Sequence, residues 1–419
     1  MTLSLNQEKI VKIISHCQEI LEAQTVTVRQ LSSLIGRLSS TILAVFQAQI
    51  FYRSLQEDKI SALRRENSYE SAVTLSQASL EELRTWVQCL HAWNGRHFLH
   101  PTPDLTLQTD ASMSGWGACL HSTIGGRWTT LEQQHHINYL ELLAVWYAIR
   151  SLLAERRDIH VLLQMDSSTA IAYINHQGGT HSVPMSRLAV KIWVWCLKRN
   201  ITLAAQHIPG SQNITADRMS RVFDDRAEWQ LLPEVFRSIM DALHFVPSVD
   251  LFASRLNTQL ETFVSWQPNP MAWRVNALLL NWKDVNGYAF PPFSLLLRIL
   301  QKIRREEATV VLVAPVWKTQ AWYPMLLELA IDVPLLLPRR TDLLQLPHNR
   351  SQVHPLIGHL QLAAWKLSGQ ISLQRDFHRR CQPQSLLLGD HSPMPSITQH
   401  GEGGQAGVYR GNLIQFTPL

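Results

Sequence analysis

The run Ile159–Met165, IHVLLQM, constrains this chain more than any other stretch. A largely apolar, β-branched run of this kind suits a central strand buried on both faces, which in turn needs helices packed above and below it. Asp166 closes the run, placing a carboxylate at the strand end. A second strand pattern precedes it, with Leu105, Leu107 and Thr109 alternating with Thr106 and Gln108 and ending at Asp110. Gly115–Leu120 and Arg127–Thr130 read as two further strands, divided by a turn at Gly125–Gly126. Glu141 lies in INYLELLAVWYAIRSLL, whose apolar spacing is helical and for which Asn138 is the predicted cap. Ile201–His207 is another predicted strand, and Asp217 opens the helical NITADRMSR. Three strands, a helix, a strand, helices, a strand and a helix make a mixed sheet with helices on its faces.

Asp110, Glu141, Asp166 and Asp217 thus sit at strand ends or on adjoining helices, where they can converge on one edge of the sheet. Isolated carboxylates are normally solvated. Four in this setting point to a site for hard divalent cations, magnesium or manganese, which take oxygen ligands. Two such ions can clamp the attacking and leaving oxygens of a phosphodiester displacement.

The phrases TDASMSGWGA, NYLELLAV, QMDSSTAIAYI and HIPGSQNITADRMSR follow one another in order, each with one of the four acids. Together they resemble a type 1 ribonuclease H domain of the kind found in long-terminal-repeat and tyrosine-recombinase retroelements. The resemblance implies that Asp110, Glu141, Asp166 and Asp217 are catalytic and hold two Mg2+ or Mn2+ ions. It also implies that His207 is the mobile histidine assisting turnover or product release, and that the substrate is the RNA strand of an RNA–DNA hybrid. Ser112, Gly115, Ser167 and Asn175 are candidate substrate contacts near the acids. Gly115 and Gly117 would let a backbone approach closely, and Ser114, Ser168 and Gln177 are further short polar groups there. Asn175 and Gln177 read equally well as turn residues. The short Gln177–Ser182 connection leaves no room for a long basic protrusion.

Upstream, Ile10–Leu21, Thr27–Arg53 and Ser79–Trp93 have apolar residues at helical spacing, with Thr27 as a predicted cap. The phrase RQLSSLIGRLSSTILAV resembles the segment after the polymerase palm in retroelement reverse transcriptases, implying a thumb- or connection-like region over 1–98. A plain helical packing module fits the same pattern. Lys59, Arg64 and Arg65 fit either phosphate contact or a solvated helix face. No palm-type Tyr-x-Asp-Asp turn lies upstream of the acids, and Asp224–Asp225 falls after them in a charged context. Polymerase activity is therefore not expected, and a palm domain absent from this chain is an expected partner.

The expected division is a helical region over 1–98, the ribonuclease H-like domain over 99–224 and a helical linker over 225–244. An α/β unit over 245–371 and a flexible tail over 372–419, rich in Gln, Ser, Pro, Gly and His, complete it. The α/β unit resembles the methyltransferase-like region downstream of the nuclease in DIRS-like retroelements. There an acidic-aromatic phrase, here Asp250–Leu251–Phe252, precedes an Asn-Pro-Pro-Tyr turn, here Phe290–Pro291–Pro292–Phe293. Phenylalanine at the asparagine position argues against methyl transfer. Its tryptophans, Trp266, Trp273, Trp282, Trp317 and Trp322, read mainly as core or rim residues. The whole resembles the C-terminal part of a DIRS-like or long-terminal-repeat retroelement polyprotein, as a truncated copy or a partial gene.

With 38 Lys plus Arg against 33 Asp plus Glu, net charge is +5, which favours polyanions without specificity. The five cysteines lack metal spacing and fit a reducing compartment. No run reaches transmembrane length and no signal-peptide pattern opens the chain, so an intracellular protein, cytoplasmic or nuclear, is expected. Besides the hybrid nuclease, two readings remain: a non-catalytic nucleic-acid-binding remnant, and an interaction protein built on the C-terminal unit.

Overall fold

The computed structural model describes residues 2–23, 25–97, 102–224, 228–383 and 404–419. The chain forms two compact units, Met1–Phe223 and Asp224–Leu419.

The first unit begins with helices α1 (Gln7–Ala23), α2 (Val28–Ser39), α3 (Arg53–Glu66) and α4 (Gln77–Trp93). They enclose Ile13, Cys17, Leu31, Leu34, Leu38, Leu83 and Trp86. Thr27 starts α2 with a reciprocal capping box: its hydroxyl accepts from Gln30 N, and the Gln30 side chain accepts from Thr27 N. The single helix expected over Thr27–Arg53 does not form. Ser39, Ser40 and Thr41 turn their hydroxyls back onto the carbonyls of Gly36, Arg37 and Leu38, a local alternative to continuing the helix. Conversely α3 escapes the periodicity analysis, because it buries only Leu55 and Ala62 among charged residues.

A five-stranded mixed sheet follows. Its elements are β1 (Leu105–Ala111), β2 (Gly115–Cys119), β3 (Thr123–Arg127), α5 (Ile137–Leu152), β4 (Ile159–Met165), α6 (Ser168–Asn175), α7 (Val183–Leu197), β5 (Ile201–His207) and α8 (Ile214–Arg221). The strand order is β3-β2-β1-β4-β5. β1, β2 and β3 run antiparallel, whereas β1–β4 and β4–β5 are parallel. The expected mixed α/β architecture is present, but β4 is not its middle strand: it lies between β1 and the edge strand β5, and only Val161, Leu163 and Met165 are buried, while Leu162 and Gln164 on its other face are half-buried. Two local expectations fail. Gly125 and Gly126 lie inside β3, and the chain reverses at Leu120–Ser122. Gly125 is small because α8 lies on it: a Cβ there would stand 2.4 Å from Met219 O. The cap of α5 is His136, whose Nδ1 accepts from Asn138 N at 3.2 Å.

The second unit opens with Gln230–Leu231, paired antiparallel with Leu344–Gln345, and α9 (Pro233–Ala242). This stretch is no linker, since Leu231, Val235, Phe236 and Ile239 are part of a core cluster with Tyr288 and Val311. Residues 225–227, which include Asp225, lie outside the described residues. A six-stranded sheet comprises β6 (Val249–Asp250), β7 (Asn286–Ala289), β8 (Thr309–Pro315), β9 (Leu335–Leu336), β10 (Leu362–Ser368) and β11 (Thr417–Pro418), in the order β6-β7-β8-β10-β9-β11. β6, β7 and β8 are parallel, and β10 is antiparallel to both β8 and β9. The flexible tail expected from composition is overturned at both ends. Ile371–Arg380 is helical, and Gln405–Tyr409 pairs with Asn412–Gln415. A few apolar residues, Phe377, Ala406, Ile414 and Phe416, suffice to bury them; residues 384–403 lie outside the described residues. Among the described residues no helix is long and apolar enough to cross a membrane.

Candidate metal centre

Asp110 stands one residue from the end of β1, between β2 and α8, and is 4 % exposed. Asp166 directly follows β4, the parallel neighbour of β1, so both acids emerge at the same end of the sheet. Glu141 projects from α5, which packs along β1 and β2, and is also buried. One oxygen from each of Asp110, Glu141 and Asp166 lies within 4.8 Å of the others, with Asp166 facing solvent.

This grouping is electrostatically costly as it stands. Burial, reinforced by the charges of Asp110 and Asp166, pushes the Glu141 carboxyl up to about 9, against opposition from the Ala111 amide and Arg221. Burial also raises Asp110 to about 6, with Asp166 and Asp217 adding to the rise and a hydrogen bond from Ser220 opposing it. Glu141 Oε2 is buried with no hydrogen-bond partner. A buried carboxylate oxygen left unsatisfied beside two other acids is what a hard cation would relieve. The donor set, all carboxylate oxygen, fits magnesium or manganese.

Asp217 is in the first turn of α8 but does not join the triad. Its Oδ1 instead accepts from Nε and a terminal nitrogen of Arg221, each at 2.7 Å. His207 ends β5, exposed, in register with Met165 of β4 and so beside the strand that delivers Asp166.

The candidate substrate contacts have internal partners. Ser112 is buried; its Oγ donates to Ser220 O at 2.7 Å and accepts from the amides of Ser114 and Gly115 at 3.1 Å, organising the β1–β2 turn. Ser167 Oγ caps α6 by accepting from Ala170 N. Asn175 bonds both backbone groups of Ala205 at 2.8 Å, tying α6 to β5. A Cβ on Gly115 would meet Gly126 O and the Phe223 ring at 2.4 Å. The backbone that Gly117 admits is that of α8, since a Cβ there would stand 2.1 Å from Ala216 O. These four residues and Gly117 therefore build the scaffold of the centre, because a turn, a cap, a tie and a helix seat each claim them.

Two residues at the centre escaped the sequence reading. Ser220, fully buried, donates from Oγ to Asp110 Oδ2 at 2.8 Å, and Arg221 pairs with Asp217. The signal was present: three- and four-residue spacing from Asp217 puts both on its face of the helix.

Fold and site together define an α/β domain with a mixed sheet, flanking helices and a carboxylate centre at one end of the sheet. No family model matches the chain, and no curated protein matches it. Among solved structures it is similar to RNase H1 from the halophilic archaeon Halobacterium salinarum NRC-1, at 18% identity over 27% of this chain and 92% of that one, with a TM-score of 0.23. It is also similar to LC11-RNase H1, solved in complex with an RNA/DNA hybrid, at 19% identity over 28% of this chain and 93% of that one, with a TM-score of 0.24. The foamy viral protease-reverse transcriptase in complex with RNA/DNA hybrid matches at 13% identity over 48% of this chain and 27% of its own, with a TM-score of 0.20.

Proposed function

We propose that the domain at 99–224 is a ribonuclease H-type nuclease that hydrolyses the RNA strand of RNA–DNA hybrids. The convergence of Asp110, Glu141 and Asp166, with the orphaned Glu141 Oε2 among them, carries this reading. These three acids, with Asp217 at the rim, would hold one or two magnesium or manganese ions. Bound there, such ions supply charge stabilisation for the attacking and leaving oxygens of a phosphodiester. The chain's own work is to fix the ligands. β1 and β4 deliver Asp110 and Asp166 side by side, α5 brings Glu141 beneath them, and Ser220 holds one oxygen of Asp110. His207, exposed at the end of β5, is placed to assist product departure.

The flanking regions follow from the same reading. Helices α1–α4 form a thumb- or connection-like region that would hold hybrid near the nuclease. Its attachment is specific: the Arg53 guanidinium donates to the carbonyls of His176 and Gln177, just past α6. The second unit is a methyltransferase-like fold without methyl transfer. Two features support this: Asp250 ends β6, and Phe290–Pro291–Pro292–Phe293 follows the adjacent parallel strand β7, where open α/β sheets place ligands. Phe290 lacks the amide that such a turn would use, and both Asp250 oxygens accept from backbone amides, of Phe252 and Gln259. The chain is then part of a retroelement polyprotein, in which a polymerase palm would be its partner.

The test is cleavage of a labelled RNA–DNA hybrid by the purified chain with magnesium or manganese, beside Asp110→Asn. Metal-dependent cutting of the RNA strand alone, lost in a variant that stays folded, is expected. Removing one of three crowded acids relieves repulsion, so the variant should unfold no earlier than the parent. A folded chain that binds hybrid without cutting it would instead be a nucleic-acid-binding remnant.

A further inference from the structure

Arg221 is the one cation that the structure sets against the carboxylate centre through a direct ion pair among the described residues. Its backbone position is fixed. Ser220, its neighbour, is locked to Asp110 and, through its carbonyl, to Ser112, and Gly117 lets this turn of α8 lie directly on β2. The guanidinium itself faces solvent, being 59% exposed, and Asp217 is 43% exposed. The pair engages a single oxygen of Asp217, through Nε and one terminal nitrogen. The remaining guanidinium N–H groups have no partner among the described residues.

A surface helix pair of this kind adds little stability, yet its place matters. Four acids at one end of the sheet repel a polyanion, and a nucleic-acid backbone must approach that end to be cut. A guanidinium at the rim answers this, because its planar fork matches phosphate oxygens better than an ammonium does.

We propose that Arg221 is a substrate-binding residue: paired with Asp217 in the structure seen here, it transfers its fork to a phosphate of the bound nucleic acid. The assignment rests on the nuclease reading for its substrate, but its test does not require cleavage. Asp217, released by that exchange, is then available to the centre. Arg221 thus competes with a cation for Asp217 before substrate arrives and binds substrate afterwards, so removing it has two effects of opposite sign.

The experiment uses the full chain. Affinity for a fluorescent RNA–DNA hybrid is measured by anisotropy across salt concentrations, in the Asp110→Asn background, with and without Arg221→Gln. Mn2+ binding is measured by electron paramagnetic resonance in the otherwise unaltered chain. Arg221→Gln should weaken hybrid binding on the order of tenfold and lower the slope of log Kd against log salt by about 1. It should tighten Mn2+ binding about threefold, as expected for loss of one nearby positive charge. Arg221→Lys should keep the salt slope while losing part of the affinity, and it carries the same test should the glutamine variant unfold. Unchanged hybrid affinity and slope, or weaker Mn2+ binding in Arg221→Gln, would overturn the assignment. So would a parent chain that binds no hybrid. A parent that fails to cleave while Arg221 still governs the salt slope would sink the nuclease reading and leave Arg221 as a nucleic-acid ligand.

Discussion

Gly117 determines how closely α8 approaches β2, and through that where Ser220 meets Asp110. The contact is backbone on backbone, with the Ala216 carbonyl in the space a side chain would need. Gly117→Ala must therefore push α8 outward, at about 1–3 kcal/mol, and lengthen the Ser220–Asp110 bond. Chemical denaturation should show the stability loss, and Mn2+ titration a matching loss of affinity; a fully stable alanine variant would contradict this packing. Ser220→Ala isolates the second effect. It removes the hydroxyl that orients Asp110 while leaving the Ser220 carbonyl bonded to Ser112. Loss of such a supporting bond costs roughly tenfold or more in metal affinity, so Mn2+ should bind that much more weakly to a chain of nearly unchanged thermal midpoint. Unaltered Mn2+ affinity would make Ser220 a packing residue only. The grouping of Asp110 and Asp166 could be anticipated because both lie at or beside strand ends, whereas Glu141 sits inside a helix and was singled out only through the resemblance. The roles of Ser112, Asn175 and Gly115 were not legible, because a short polar or missing side chain looks alike whether it meets a ligand or its own backbone.

At the scale of elements, α3 shows what periodicity misses and what replaces it. Its N-terminus has no local cap. The carboxylate of Glu82, reaching from α4, accepts from Ser54 N at 2.9 Å and Leu55 N at 3.2 Å. Such a cap is invisible in sequence, since its partners are far apart along the chain, whereas the Thr27–Gln30 box of α2 is local and was readable in part. Burial pushes Glu82 up from 4.5 to about 7, with the Ser54 and Leu55 amides opposing the rise. A carboxyl whose folded value is raised lends stability that is complete below 4.5 and fades as pH climbs through about 7. The shift corresponds to a few kcal/mol at most, on the order of 3. Glu82→Gln keeps an acceptor at the helix end without the charge. Its stability should therefore fall less than that of the parent between pH 5 and pH 8 (roughly the window between the unfolded and folded values), measured by urea unfolding at each pH. Parallel pH profiles for the two would show that Glu82 stays comfortably charged. Strand β4 needed no such long-range information to be read as a strand, because its apolar, β-branched run marks it locally, whereas the order of strands around it depends on pairings far apart in the chain.

For the whole molecule, the two units each enclose cores of their own, so equilibrium unfolding should not be a single transition. The C-terminal segment gives a way to separate them. Composition alone marked 372–419 as a tail, yet its last residues complete the second unit. Phe416 packs edge-on to Trp365 at 5.6 Å, Ala406 O accepts from Tyr323 Oη at 3.1 Å, and Thr417–Pro418 adds a parallel strand beside Leu335–Leu336. Phe416, Ile414 and Ala406 are 4 %, 1 % and 0 % exposed, so their removal opens one side of the core around Trp365 and Tyr323. Emptying a buried aromatic site alone costs about 3–5 kcal/mol. A chain ending at residue 403 should therefore lose stability in one transition only, with a red shift of tryptophan emission that is absent from the same truncation carrying Trp365→Phe. Hybrid cleavage should persist, because every residue of the carboxylate centre and its supports lies before Asp224. If truncation abolished cleavage while the first transition stayed in place, the second unit would contribute to substrate binding, and the nuclease would not be a property of the first unit alone. If the truncated chain unfolded as the parent does, the burial of 404–419 would carry no stability and the compositional reading of a dispensable tail would stand.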